Sequence, residues 1–246
     1  MVSQLLFGDA YEIIKEKDNW IRIKTCECGY EGWITANLHN PFHEKDVEPY
    51  LAAEKYIVRD LLLFIRNFET QITFPIFIGS GFTYPQEDLL ILGNGIFTVN
   101  LPEDKERHPH PTLTPKQYAI LRFASTYLEA PYLWGGRTPA GIDCSALVQL
   151  VFKSVRVFLP RDACRQVEYG TTVHSLEEAI PGDVAFFSNS RGEIIHTGII
   201  AGDKQILHAS GKVKIDKIDS QGIIIKGTEK YSHQLHCIKR MCHESA

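Results

Sequence analysis

The stretch "GIDCSALVQLVF", residues 141–152, decides how the chain is read. A glycine-rich loop, "YLWGGRTPA" at 132–140, runs into it, and the run that follows is apolar. Cys144 therefore stands where a loop ends and a buried helix begins. A thiol is a sluggish nucleophile until it becomes a thiolate. A helix N-terminus offers free backbone N–H groups and the positive end of the helix dipole, both of which favour the anion. The placement predicts a lowered thiol pKa, with N–H groups aimed at whatever the sulfur attacks and ready to hold a developing oxyanion. Gly135, Gly136 and Gly141 let the loop approach closely with no side chain in the way.

A cysteine nucleophile needs a base that reaches it in space, at any distance in sequence. His196 lies in "IIHTGII" and His208 in "ILHASG", two strand-like runs joined by the short turn "GDK". A hairpin there brings the two rings together, so that one orients the other. Taken singly, a histidine in an apolar strand is more often a satisfied core residue. Beside the cysteine loop the functional reading wins: Cys144 as nucleophile, His196 as base and His208 as the orienting third group.

Outward from this centre, Thr114 and Pro115 mark a helix start, cap residue then proline at the first helical position. "PKQYAILRFASTYLEA" has helical periodicity and ends at Pro131. Ser175 and Glu178 form a candidate capping box, followed by a turn at Pro181-Gly182 in which Asp183 reads as a turn residue. "KVKIDKI", "GIIIKGT" and "LHCIKRM" continue as successive antiparallel strands. Helices first and strands later predict an α+β domain over 107–246.

The upstream part has a different rhythm. "AYEIIKEKDNWIRIKT" gives two alternating strands about a charged turn at Lys17–Asn19, and "GYEGWITANL" gives a third. A small all-β barrel is expected over 1–42, then a polar linker, "HNPFHEKDVEP". A second barrel is expected over 43–106. There "YIVRDLLLFI" is long enough for a helix, but its Ile, Val and Phe content favours strands, and Asn94-Gly95 is expected to turn a hairpin. "LPEDKERHPHPTL" reads as a connector, with His108 and His110 as solvated linker residues.

The composition, 44% hydrophobic and 23% charged, is that of an ordinary globular chain. A formal charge of -4 gives no reason to expect nucleic-acid binding. Residues 1–111 carry 10 basic against 17 acidic groups, and residues 112–246 carry 16 against 13. No segment reaches the ~18–20 consecutive apolar residues of a membrane span. "MVSQLLFGDAYEI" has no basic start and no long apolar core, so a cytoplasmic location is expected, or else a leader removed from the chain. The pairs Cys26/Cys28 and Cys237/Cys242 lack the usual zinc spacing, and all six cysteines are read as free thiols, with Cys164 a packing thiol.

"PYLWGGRTPAGIDCSALVQ", "LPRDACRQ", "PGDVAFF", "HTGI" and "ILHAS" occur in the order found in NlpC/P60 cysteine peptidases, and the resemblance covers essentially all of 112–246. "SQLLFGD" and "GYEGWI" resemble the bacterial SH3-like (SH3b) domains that precede this catalytic domain in γ-D-glutamyl-L-diamino acid endopeptidases. The resemblance implies a multidomain chain with a papain-like α+β catalytic domain after two small SH3-like barrels. It implies hydrolysis of murein peptides at the bond from D-Glu to diaminopimelate or Lys, with no metal or organic cofactor.

By the same resemblance Cys144, His196 and His208 are the triad, and Tyr132 assists the oxyanion or touches substrate. Asp143 and Ser145 match residues that hold the free α-amine of an N-terminal L-Ala. An alternative for Asp143 is a helix cap, and the two roles are compatible. Tyr30 matches a tyrosine that the first SH3b domain lends to the pocket, restricting access to short peptides. Arg161 binds substrate carboxylates or forms an ion pair with Asp162, and Trp134 lines the cleft or packs. The rival readings are an amidase or hydrolase of intact peptidoglycan, a non-catalytic wall-binding module, and acyl transfer to an amine.

Overall fold

In a computed structural model, residues 1–102 and 112–242 are described, and the chain divides into two units, Leu5–Arg107 and Met1–Gln4 with His108–Ala246. His108 and His110 lie outside the described residues.

In the first unit, β1 (Tyr11–Lys17), β2 (Trp20–Thr25) and β3 (Glu31–Thr35) form an antiparallel sheet. The alternation in β2 is the reason: Ile21 and Ile23 are buried while Trp20, Arg22 and Lys24 face out. Asp18, at φ 53°, makes the tight turn between β1 and β2. The segment expected as a linker contains a helix, α1 (Glu44–Ala52), with Glu44 and Asp46 in its first turn. Tyr50 explains why it is not a free linker. Its ring is buried, and its hydroxyl donates to the Gly8 carbonyl at 2.7 Å.

Beyond α1 come β4 (Lys55–Ile57), β5 (Leu62–Asn67), β6 (Thr73–Phe77), β7 (Gly81–Thr83), β8 (Leu89–Leu92) and β9 (Gly95–Thr98). They pair as β4-β7 and as β6-β5-β9-β8. The strand reading of "YIVRDLLLFI" therefore holds. The hairpin turn sits one residue earlier than expected. Leu92 pairs with Gly95, so the turn residues are Gly93, at φ 58°, and Asn94. Ile65, Ile76, Phe82, Leu90 and Phe97 form the core. Phe7, from the first barrel expected in the sequence, meets Phe74, Phe82 and Phe97 edge-on in that same core.

In the second unit, α2 (Pro115–Ser125) begins with a full capping box. Thr114 Oγ1 accepts from the Gln117 N–H, and Gln117 Oε1 accepts from the Thr114 N–H. A short ribbon, β10 (Arg137–Thr138) and β11 (Gly141–Ile142), leads into α3 (Cys144–Ser154). Every residue of α3 from Cys144 to Lys153 is buried, most of them apolar, and the buried Gln149 amide donates to the Leu159 carbonyl at 3.0 Å.

A single turn, α4 (Ala163–Gln166), precedes the sheet strands β12 (Thr171–Val173), β13 (Val184–Ser188), β14 (Ile194–Gly202), β15 (Gln205–Ser210), β16 (Lys212–Lys217), β17 (Gly222–Ile224) and β18 (Tyr231–Arg240). The sheet order is β12-β18-β13-β14-β15-β16, all antiparallel, with β17 on β18. The expected simple succession fails at β18, which returns to cover the free edge of β13.

Residues 1–4, expected in the first barrel, belong instead with the loop that precedes α3. Gln4 Oε1 accepts from the Arg137 N–H at 2.7 Å, and its carbonyl accepts from Arg137 Nη1 at 2.8 Å. The candidate capping box at Ser175 forms its hydrogen bond to the Glu178 N–H but starts no helix. Asp183 is more than a turn residue: buried, it accepts from Arg240 Nε at 2.9 Å and Nη2 at 2.8 Å. Among the described residues no helix is long and apolar enough to cross a membrane.

Candidate active site

Cys144 is the first residue of α3, and Asp143 is its N-cap, with a carboxylate oxygen accepting from the Ala146 N–H at 2.8 Å. The thiol is buried, with the backbone N–H groups of Thr197 and Ser145 directed at it. Burial pushes the Cys144 thiol up to about 11, the Asp143 charge adds to this, and the neighbouring backbone N–H groups pull it down less. The expected lowering of the thiol pKa is thus overturned, because desolvation of the sulfur outweighs the helix start. With the thiol held up in this way, its proton leaves as the sulfur attacks.

Asp143 is held by five donors. Oδ1 accepts from Ala146 N, Ser145 Oγ at 3.2 Å and Arg161 Nη1 at 3.0 Å. Oδ2 accepts from Gly135 N at 2.9 Å and Arg161 Nη2 at 2.6 Å. Arg161 also donates to Ser145 Oγ and Ser3 Oγ, both at 2.9 Å. Its partner is therefore Asp143 and not Asp162, and its guanidinium is 3% exposed, which corrects the reading of Arg161 as a carboxylate binder. Gly135 allows the closure of this loop. At φ 75°, a Cβ there would lie 2.8 Å from the Val2 carbonyl carbon.

His196 on β14 and His208 on β15 meet as the hairpin predicts, His196 Nε2 to His208 Nδ1 at 2.9 Å. Gly198 permits this approach, because a Cβ there would fall 2.8 Å from His208 Cβ. Thr197, whose N–H bonds the thiol, is the neighbour of His196, so the sulfur and the base are brought to one short stretch of β14. Burial, then His233, His208 and Lys214, holds His196 well below the ordinary histidine value. Burial likewise lowers His208 to about 4, against a smaller upward pull from Asp216.

Tyr132, in the loop before α3, has its phenol pushed up to about 12 by burial and then by Cys144 and Asp143. It stays protonated and able to donate. Trp134 exposes 69% of its surface, so its packing reading fails and its ring is open to solvent. Tyr30 belongs to the other unit, where its N–H donates to Thr25 Oγ1 at 3.0 Å. All six cysteines are free; Cys164 is exposed, which removes its packing role.

Sequence reasoning missed two groups. Asp216 Oδ2 accepts from His208 Nε2 at 3.1 Å and from Lys214 Nζ at 3.0 Å. The alternation of "KVKIDK" was the available signal, since it puts Lys214 and Asp216 on one face, and the register sets Lys214 opposite His208. His233 stacks on His196, with ring centroids 4.0 Å apart and planes at 23°. No local pattern announced it, because it arrives on the returning strand β18.

Residues 129–229 match the NlpC/P60 family, and residues 1–37 match the bacterial dipeptidyl-peptidase SH3 domain. The γ-D-glutamyl-L-lysine dipeptidyl-peptidase of Bacillus cereus is 24% identical over 90% of this chain and 72% of its own length. The γ-DL-glutamyl hydrolase of Bacillus subtilis is 40% identical over 39% of this chain, which spans only 24% of that protein. A solved structure of an NlpC/P60 family protein from Bacillus cereus has the same fold, with a TM-score of 0.78 at 20% identity over 97% of this chain and 81% of its own. The chain thus carries an NlpC/P60 cysteine peptidase domain, C-terminal to a segment of the bacterial SH3 type.

Proposed function

We propose that the chain hydrolyses the γ-D-glutamyl–L-diamino acid bond of short murein peptides that begin with a free L-Ala. The observation that carries this is the juxtaposition of the Cys144 thiol, hydrogen-bonded by Thr197 N–H, with the His196–His208 pair at 2.9 Å. The γ-D-glutamyl and γ-DL-glutamyl activities in the names of the two relatives support the choice of carbonyl.

In this scheme His196 takes the thiol proton as sulfur adds to the γ-carbonyl carbon. The oxyanion is held by a backbone N–H at the start of α3 and by the Tyr132 hydroxyl. The tetrahedral adduct collapses, the C–N bond breaks, and His196 returns the proton to the departing amine. Water, deprotonated by the same His196, then releases the thioester as a carboxylate. No step calls on a metal or a cofactor.

The geometry changes how the amine is read. Asp143 is saturated by its five donors, so its work is to build the helix start. Ser145 Oγ donates to Asp143 and accepts from Arg161, which leaves a second lone pair for an ammonium. The finer architecture belongs to the same proposal: a papain-like catalytic domain after two SH3-like barrels, both within Leu5–Arg107. The sheet of β1–β3 and the paired sheets of β4–β9 support it.

The test is mass spectrometry of L-Ala-γ-D-Glu-meso-diaminopimelate and its L-Lys counterpart, each free and N-acetylated. Cleavage of the free peptides alone is expected, and Cys144→Ala should abolish it. Cleavage of both forms would remove the amine requirement and point to intact wall as substrate. Undiminished cleavage by Cys144→Ala would sink the scheme.

A further inference from the structure

The scheme above uses Cys144, His196 and His208, and leaves Asp216 without a task. A carboxylate oxygen only accepts. At 3.1 Å from Asp216 Oδ2, His208 Nε2 must therefore carry its proton, since a bare nitrogen would set two lone pairs face to face. A neutral imidazole with hydrogen on Nε2 has a bare Nδ1. That Nδ1 lies 2.9 Å from His196 Nε2, which must then be the donor. His196 in turn is left with a bare Nδ1, the one ring nitrogen free to accept the proton of a thiol.

We infer that Asp216 is a positioning residue of the catalytic centre, the fixed end of a chain Asp216–His208–His196 that sets the tautomer of both rings and so makes His196 a base toward Cys144. This rests on the peptidase reading for its consequence in catalysis, but not for the tautomers themselves. No proton travels to Asp216 during turnover: the thiol proton stops at His196, and Asp216 remains an anion.

Lys214 supports the assignment. Its ammonium bonds the same Oδ2 at 3.0 Å, so the carboxylate is charge-balanced without help from His208. His208, 1% exposed at its side chain, can then stay neutral. Were it an imidazolium, Nδ1 would donate to His196, and the proton on His196 would move to the nitrogen that the mechanism needs bare. The groups that face His208 and so enter any pH dependence are His196 on β14, Lys214 and Asp216 on β16, and His233 on β18.

Both donors meet one oxygen of Asp216, so an amide oxygen can take its place. This gives a sharp pair of variants. Asp216→Asn should keep both tautomers and lose less activity than Asp216→Ala. Asp216→Ala frees His208 to choose, and kcat should fall by roughly 10- to 100-fold with KM little changed, since only the transition state loses its base. In a His208→Ala background Asp216→Ala should cost nothing more.

The direct readout is the imidazole 15N–1H spectrum of the full chain, labelled at histidine and recorded without substrate. Wild type and Asp216→Asn should show His196 and His208 protonated at Nε2, and Asp216→Ala should show His208 losing that preference. A wild-type His208 protonated at Nδ1, or an Asp216→Ala protein with wild-type spectrum and kcat, would overturn the inference. So would a full additional loss in the His208→Ala background. Failure of the wild type to cleave any murein peptide would instead strike the peptidase reading, and the spectrum would still decide the tautomers.

Discussion

Two carboxylates serve the thiol, one at the helix start and one at the far end of the histidine pair, and they are held in opposite ways. Asp143 takes five donors on two oxygens, two of them from one guanidinium, and its side chain is 8% exposed. Asp216 takes an ammonium and an imidazole on a single oxygen and is 17% exposed. A saturated, bidentate, buried pair is rigid and expensive to disturb, which suits a part that builds the loop and helix start. A carboxylate with few donors at a sheet edge is easily perturbed and acts by choosing a proton position. The same side chain is a girder in one place and an orienting group in the other.

The first way to break the comparison is to remove the girder's partner. Arg161→Ala leaves a buried carboxylate with no counter-charge and should cost about 3–5 kcal/mol of stability. Arg161→Lys restores the charge but not the two-pronged geometry and should recover only part of this. Chemical denaturation of the full chain measures both. A loss below about 1 kcal/mol in the Ala variant would show that the pair is not the structural element described.

A second test sharpens it through pH. His208 is held at about 4 in the folded chain, against an ordinary value of 6.5. Between those values the unfolded chain binds a proton that the folded chain refuses, so stability falls as pH drops. The contribution is fully present above pH 6.5, is lost progressively down to pH 4, and does not grow below that. Its size is about 3 kcal/mol at 1.36 kcal/mol per pKa unit, and the lowered His196 adds with the same sign. Denaturation curves from pH 7.5 to 4 should show this slope, and His208→Asn should flatten part of it. A slope unchanged by that substitution would place the protonating group elsewhere.

The sequence made the chemistry legible and the second rank of residues illegible, for a physical reason. Cys144, His196 and His208 are readable because their requirements are local: a loop–helix junction, and two strands joined by a short turn. α2 announces itself by Thr114 before Pro115 and by its periodicity, and α3 by a largely apolar run after the glycine-rich loop. The groups that tune the site come from pairings that no local pattern encodes. Arg161 reaches back across 18 residues to Asp143, and Ser3 across 158 to Arg161. The thiol pKa was misread because helix-start donors are visible in sequence while the depth of burial is not. The helix at Glu44–Ala52 was missed because a polar, Pro-containing string looks like a linker until Tyr50 is seen anchored in the core.

The smallest expected effect concerns His233, which lies against one face of His196 without joining the hydrogen-bonded chain. Its position depresses His196 in two ways: the ring excludes water, and its own protonation would oppose a second positive charge. His233 is itself pushed down by burial and then by Lys214, so near neutrality its main effect is to exclude water. His233→Ala should therefore raise the acid limb of the kcat/KM profile toward the ordinary histidine value, with a loss of only a few-fold at pH 7.5. His233→Phe keeps the stacked ring and its desolvation, and its acid limb should stay close to that of the wild type. His208 and Lys214 also face His196 and are unchanged in both variants, so the difference between Ala and Phe isolates the stacked ring. If the two variants shift the limb equally, charge and not water exclusion is what His233 supplies. If neither moves it, the stack is a packing contact, and orientation of the base rests on His208 and Asp216 alone.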